Sequence, residues 1–571
     1  MKCSGRWLIP AVAVPGFTLL VYLPFLLQPG TFPILDDLDL FLSFYESVRK
    51  TILAHAQFPF WAPWLHGGTP LAANPQVALI GLELPCILLF GTWYGWRVAM
   101  VLYLLAGAVG MYFCLGDYVQ DRLARSWGAM LFAASGGIHL HLYQGHWIVA
   151  GVIFLPWLVW LIRHLPDSRG YALASGITAG LMLNHSLHYF TLMNTAVSLA
   201  FFLPLWYRHR RDLCFYRRAA LAAAAMLAIA GYRLVITLDL LGNFPRRMDL
   251  LMQIPVVQFL RSLLVPGIPI HTIAAVGGQL CWEWHEIGCY TGIIAAGFFL
   301  LSLRRPNWLH CGALICLLLL LDATRPWLPG WWLRHIPPFT SFFAIARWKI
   351  PFLFFFVLTA APAFAEWKQR YPRPVRLWYL IAGLSLAGLL GNNWYTWLYD
   401  LPRQPESALF ERAPEPLNGP ILTVHYNGTN DVYASVVRNL SRQDSYEPLL
   451  GYDHWCVSPR RPAGQPGYAG EFLSENRTSR QTFWSPNEIR FSATAPDRIY
   501  ISQNPGSWWR LNGRILFPEQ RDFEEDRLLI FACPPGDHVL TLRPPRHEAA
   551  LLLTLAAWCA ATFLWRYNRK I

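Results

Sequence analysis

Acid is scarce in this chain of 571 residues. Asp and Glu number 34 against 47 Lys and Arg, and only 14% of positions are charged while 54% are hydrophobic. That balance excludes an ordinary soluble globular protein and describes a polytopic helical membrane protein. The 11 cysteines contain no CxxC pair and no Cys/His metal spacing, which excludes the common structural zinc modules. Cys86, Cys114, Cys311, Cys316 and Cys559 fall inside apolar runs and read as small buried hydrophobes, whereas Cys281 and Cys289 are a candidate disulfide if they face an oxidising compartment. Internal repeats and low-complexity tracts are missing too. The net charge of +13 invites a nucleic-acid reading, but the basic residues sit in clusters between apolar runs, as cytoplasmic loops facing anionic lipid do. Nucleic acid is therefore not an expected partner, and membrane lipid is.

The first apolar run, 7–28, follows Lys2 and Arg6 and is too long for a signal peptide, so the amino terminus is placed in the cytoplasm. Segment 77–93 contains Glu83 and Pro85 and is barely long enough to cross. If it crossed, the basic groups Arg208 to Arg211, Arg217/Arg218, Arg304/Arg305, Lys368 to Arg376 and Arg566 to Lys570 would all lie outside. If it dips into the outer leaflet, all lie inside, which the positive-inside rule favours. The remaining runs are 97–116, 126–139, 147–162, 171–183, 190–206, 219–240, 288–303, 308–321, 348–365, 377–397 and 549–565, giving about 12 crossings. The chain then divides into a transmembrane region 1–399 with a large first outer loop (29–94), an outer domain 400–547, and a last helix with a basic tail, 548–571.

Within 400–547 the composition turns to Pro, Asn, Arg, Ser and Asp. Segments 487–493, 498–503, 508–516, 528–532 and 538–543 alternate or carry β-formers between the turn signals Asn504-Pro505-Gly506, Asn512-Gly513 and Pro534-Pro535-Gly536. An extracytoplasmic β-sandwich is expected, with Trp508 and Trp509 read as exposed aromatics suited to an acceptor.

The topology gathers polar residues on the outer face. Asp36, Asp37 and Asp39 stand together just beyond the first span, where like charge and burial are both expected to raise carboxyl pKa values. The following residues, 38–54, have apolar positions at helical spacing, as in a helix lying along the membrane surface at headgroup depth. Isolated acids there often merely cap a helix or stay solvated, but a run of them suits proton abstraction or cation binding. Other outer polar residues are Asn74 and Gln76 in a turn-rich loop, His139 and His146, Asn184 with His185 and His188, Glu286, Arg347 and Lys349. Arg347 either snorkels to headgroups or binds phosphate bidentately, with Lys349 or Arg246/Arg247 as helpers. Glu286 reads as a second acid, a metal ligand with Asp36 and Asp37, or a solvated helix start. His185 and His188 make only a weak metal signal.

Several of these features recur in one order: Ile34-Leu35-Asp36-Asp37, the loop Phe58 to Gln76, Gly145-His146-Trp147, Trp284-His285-Glu286 with Tyr290-Thr291-Gly292, Leu333 to Pro337 with Arg347, and Asn504-Pro505-Gly506-Ser507-Trp508. In this the chain resembles, nearly end to end, the YfhO family of bacterial membrane proteins within the GT-C glycosyltransferase superfamily. The resemblance implies a GT-C-like inner-membrane enzyme with its site facing the periplasm or cell exterior. It would move a sugar with inversion from a polyprenyl-phosphate donor to an extracytoplasmic glycan, lipid or protein acceptor. Asp37 matches the family's acid in the first outer loop, and Asp36 stands where many relatives have Gly. On this reading Asp37 is the base, Arg347 and Lys349 bind the lipid phosphate, and His146, His139, Asn184, His188, Asn74 and Gln76 line the substrate cavity. Asp36 and Glu286 tune the site or, with Asp37, hold Mg2+ or Mn2+. The sequence Trp-Trp-Asp-Tyr-Gly is missing, which disfavours the oligosaccharyltransferase branch, and no Gly-rich phosphate loop supports a nucleotide-sugar donor. Two rivals remain: a flippase or transporter of lipid-linked glycan, and a non-catalytic assembly subunit. Reporter fusions after Arg211 and Lys368 are expected to report cytoplasm and a fusion near Ser445 the exterior; the reverse pattern would overturn the topology.

Overall fold

The computed structural model describes residues 8–28, 30–33, 36–146, 149–185, 187, 189–243, 256–266, 275–276, 279–280, 284–321, 327, 329–333, 335, 345–372, 374–400, 403–405, 407, 421–424, 432–442, 470–517 and 528–567. Six helices among them are long and apolar enough to cross a membrane: Pro10–Leu27, Thr92–Leu115, Leu213–Gly242, Ala346–Arg370, Val375–Tyr399 and His547–Arg566. Ala150–Arg163, Ile293–Ser302 and Trp308–Leu320 are apolar but shorter. The expected dozen crossings is thus not reached by length and composition among the described residues. One reason is local: the run 126–139 breaks at Ser135, whose extended backbone separates Arg122–Ala134 from Gly136–Tyr143. The helix Glu83–Phe90 has eight residues, a length of about 12 Å that cannot cross a hydrocarbon core of about 30 Å.

Burial orders the bundle. Ala346–Arg370 is its centre, with 83% of its span buried under Phe352, Phe354, Phe355 and Phe356 packing, whereas His547–Arg566 has only 17% buried. That last helix packs on Leu213–Asn243, and its buried residues include Ala550, Ala557 and Ala561, small side chains of the kind that let helices approach closely in lipid.

The helix Asp36–His55 departs from the expectation of a surface helix. Leu38, Leu40, Leu42, Phe44, Tyr45 and Val48 are all buried, because a short helix from the later part of the chain, Val432–Val437, lies against it. Two charges hold that contact. The Asp39 carboxylate accepts from the Val432 and Tyr433 amides at 2.7 and 3.1 Å, the unsatisfied donors of the short helix's first turn. Lys50 donates to the Val436 and Val437 carbonyls at 2.6 and 3.2 Å at its other end. Asp39 is therefore a helix cap and not a third member of an acid cluster.

Two antiparallel sheets make up the C-terminal region. One has five strands, in space Ser479–Ser485, Glu488–Ala493, Gly536–Leu542, Trp509–Leu511 and Arg514–Ile515; the other has three, Leu529–Cys533, Asp497–Ile501 and Phe472–Ser474. The predicted strands are present, and Phe491 of the first sheet meets Phe472 and Phe531 of the second at ring distances of 5.5 and 6.0 Å. Trp508 and Trp509 are buried, which corrects their reading as exposed acceptor-binding aromatics. Their motif grips the first outer loop instead. Asn504 donates from its side chain to the His66 and Gly68 carbonyls, each at 2.7 Å, and its amide donates to Gly67 at 2.7 Å. Trp61 donates to Gln503 at 2.7 Å and its ring sits edge-on to Trp509. The strand Thr31–Pro33 also pairs antiparallel with Arg403–Pro405. Asn504→Ala removes both side-chain hydrogen bonds to this loop, so it is expected to cost about 1–3 kcal/mol and to lower the melting temperature of the purified protein; an unchanged melting temperature would refute this grip.

Candidate active site

Where the segment after Gly136–Tyr143 meets the start of Asp36–His55, the two backbones nearly touch. Gly145 has φ +90°, and a Cβ there would lie 2.4 Å from Leu38 Cα, so only glycine fits. The contact puts His146 beside Asp37, with Nε2 2.7 Å from Oδ2. His146 in turn lies 2.8 Å, Nδ1 to Nδ1, from His141, one helical turn back along the same segment.

A second close approach sets the opposite wall. A Cβ on Gly136 would fall 2.5 Å from the Tyr290 amide, and the Gly136 amide donates to the Tyr290 carbonyl at 2.9 Å. This docks the short helix Trp284–Ile287 against the histidine segment. The His285 ring stands edge-on to His146 and His141, with centroids 4.9 and 5.6 Å away. Glu286 points at Arg347, which donates to Oε1 from Nε at 3.0 Å and from Nη2 at 2.6 Å. Lys349 is fully buried and donates to the carbonyls of His285 and of Gly288, the latter at 3.0 Å, at the end of the short helix.

Charge shapes this cluster. Burial alone would push the Asp37 carboxyl up, but His146 with its hydrogen bond, His285 and Arg347 hold it below the usual carboxylate range. The expectation of a raised pKa from neighbouring acids is thereby overturned, because imidazole and guanidinium, not Asp39, are what Asp37 faces. Burial likewise pushes Glu286 up, yet Arg347, His141 and His285 hold it well below its ordinary value. His146 is lowered by burial more than Asp37 raises it, so it stays neutral in the folded protein.

Of the residues singled out from sequence, Asp37, His146, Glu286, Arg347 and Lys349 meet here. Asp36 begins its helix, but its side chain and all of His188, Arg246, Arg247 and Cys281 lie outside the described residues. His139 is turned to the Ser135 carbonyl at 3.1 Å and to Asn392. Asn74 and Asn184 belong to a different centre, where their carbonyls accept from the Arg233 guanidinium, Asn74 at 3.0 Å. Gln76 is buried, and its backbone amide donates to the Asn74 side-chain oxygen at 2.9 Å. Beside Arg233, fully buried Tyr103 binds Glu83 and His185, the latter at 2.7 Å. His141 and His285 were missed in the sequence; each sits within five residues of a flagged one, and only that adjacency could have marked them. A cavity of about 300 Å³ is lined by Leu158, Ser175, Met182, Asn194, Phe202 and Met226 among others, and none of the clustered residues takes part in it.

No protein-family model matches the chain, and no curated protein matches it in sequence. Among solved structures it is similar to the arabinofuranosyltransferase AftD from Mycobacteria, at 15% identity and a TM-score of 0.44 over 77% of this chain and 33% of that one. It is also similar to the oligosaccharyltransferase AglB from Archaeoglobus fulgidus, in complex with an inhibitory peptide and a dolichol-phosphate, at 11% identity and a TM-score of 0.44 over 77% of this chain and 64% of that one. The chain thus spans a third of the first and just under two thirds of the second.

Acid titration separates the two partners. Unfolded histidine takes up a proton below about pH 6.5, whereas folded His146 does so only at lower pH, so its contribution to stability falls as pH drops through that range. Asp37, also lowered, contributes stability that is present above about pH 4 and lost as pH falls through its folded value. His146→Gln is therefore expected to flatten the fall in melting temperature between about pH 7.5 and pH 5.5; a slope equal to the parent's would remove His146 from this account.

Proposed function

We propose that this chain is a GT-C-type glycosyltransferase of the bacterial inner membrane, moving a sugar from a polyprenyl-phosphate donor to an extracytoplasmic acceptor. The observation that supports it most directly is Asp37: an ionised carboxylate, 19% exposed, oriented by neutral His146 and set in one polar cluster with Arg347. An ionised, oriented carboxylate with residual access is what a general base requires. His146 holds one oxygen, Oδ2, which leaves Oδ1 to take the acceptor hydroxyl proton. The acceptor oxygen then bonds to the anomeric carbon as the bond from that carbon to the phosphate oxygen breaks on the opposite face, giving inversion. The lipid phosphate leaves with the bonding pair, and Arg347, its plane fixed by Glu286, stabilises the developing charge. Lys349 adds its field from behind the short helix.

The hard-cation expectation does not fit these residues. Mg2+ prefers an octahedron of oxygens, but the groups around Glu286 and Asp37 are the nitrogens of Arg347, His146, His141 and His285. No step here runs through Mg2+.

A second reading, transport of a lipid-linked glycan, draws on the buried Glu83, Tyr103 and His185 beside Arg233, because ionisable groups inside a helical bundle mark pathways. Asp239, the nearest candidate from sequence, is tied to Arg546 at 2.9 Å instead. One pair of variants separates the readings. Asp37→Asn is expected to lower sugar transfer to surface glycan by about 10²–10⁴-fold without loss of membrane insertion, with the lipid-linked donor accumulating. Full labelling in that variant, together with loss in Glu83→Gln, would favour transport.

A further inference from the structure

Ring nitrogens of His141, His146 and His285 and a carboxylate oxygen of Glu286 all lie within 4.8 Å of one another, and all four residues are buried. The direction of the hydrogen bonds makes this gathering more than a crowd. An ionised carboxylate only accepts, so His146 donates from Nε2 to Asp37. Between His146 Nδ1 and His141 Nδ1, 2.8 Å apart, one nitrogen donates and the other accepts. The second ring nitrogen of His141, Nε2, is buried and has no hydrogen-bond partner among the described residues. It faces Glu286 Oε2 at 3.8 Å, beyond hydrogen-bond reach. A buried ring nitrogen left without a partner is costly unless a ligand satisfies it.

We infer that this cluster is a site for a borderline divalent transition metal, Zn2+ before Mn2+, held by His141 Nε2, His285 and Glu286 Oε2, with His146 as the neighbour that sets the His141 tautomer. Imidazole nitrogens with one carboxylate oxygen select Zn2+ and its first-row neighbours over Mg2+ and Ca2+. His146 fits the supporting role because a ligating histidine ordinarily has its other ring nitrogen fixed by a hydrogen bond, which here runs on to Asp37. The ion would tie the histidine segment to the Trp284–Ile287 helix. Glu286 would hold Arg347 through Oε1, at 2.6 and 3.0 Å, while Oε2, 3.3 Å from Arg347 Nε and 3.8 Å from His141 Nε2, turns to the metal.

The inference shares a site with the proposed glycosyl transfer but not its chemistry, and the test keeps the two apart. The full chain, purified in detergent and stripped with chelator, is titrated with Zn2+, Mn2+ and Mg2+ and its bound metal counted. The expected result is about one Zn2+ per chain, weaker Mn2+ and no Mg2+, with Zn2+ affinity weakened at least tenfold in His141→Ala and less in Asp37→Asn, which reaches the site only through His146. Because His141→Ala is a core substitution, the parent protein is also loaded with Co2+, whose visible absorption reports nitrogen and oxygen ligands in a tetrahedral field. Absence of that spectrum, a count at the buffer level, or Zn2+ affinity unchanged in folded His141→Ala would each overturn the metal site. Loss of sugar transfer without loss of metal would bear on the reaction alone.

Discussion

The approach of Gly145 to Leu38 is the contact on which the site depends. Two backbone segments far apart in sequence meet with no room for a Cβ, and the positive φ of Gly145 turns His146 back toward the helix that carries Asp37. A larger residue would separate the segments by more than the slack in a 2.7 Å hydrogen bond, and Asp37 would lose the partner that keeps it ionised. The Gly136–Tyr290 contact repeats the device on the other wall. Chemistry here rests on two places where backbone touches backbone, and the side chains inherit their geometry from them.

Charge balance explains how so polar a cluster survives burial. Asp37 and Glu286 supply two negative charges, Arg347 and Lys349 two positive ones, and the imidazoles of His141, His146 and His285 fill the space between. An isolated buried ion would cost several kcal/mol, whereas paired and hydrogen-bonded ions largely offset one another. Glu286 and Arg347 form a bidentate pair, and Lys349 is held by carbonyls, so their charge serves the architecture as well as any ligand. Asp37 is more exposed than Arg347 and Glu286, at 19% against 10% and 3%, as the proposed role of base requires.

Much of the architecture was legible because hydropathy and β-alternation are local signals: the helices Leu8–Leu27, Thr92–Leu115 and His547–Tyr567 and the strands from Glu488 to Leu542 lie where the pattern puts them. Within 77–93 the structure has the eight-residue helix Glu83–Phe90. What failed was long-range. Asp36, Asp37 and Asp39 look like one cluster in the sequence, but two steps along a helix turn a side chain to nearly the opposite face. Asp39 therefore meets Val432, almost four hundred positions away, while Asp37 meets His146. Asn74 and Asn184 share the predicted outer face yet serve Arg233. Topology places residues on a side of the membrane, and only tertiary contacts sort them into centres.

The C-terminal region takes a different part from the one its composition suggests. Its aromatics Trp508 and Trp509 are buried, and its Asn504 and Gln503 are occupied by the loop from Trp61 to Gly68. Upstream, Val432–Val437 is held at both ends by Asp39 and Lys50, on the same helix that begins beside Asp37. This region therefore packs on the loop from Trp61 to Gly68 and braces the helix that presents the candidate base. A brace of this kind answers a specific difficulty: a carboxylate at the first turn of a helix has few intrahelical bonds to fix it, and fraying there would dissolve the Asp37–His146 contact. Capping the neighbouring segment through Asp39, two residues on, immobilises that first turn from the side opposite the site, so the acid that orders the outer domain and the acid that faces the histidines stabilise each other through one turn of helix.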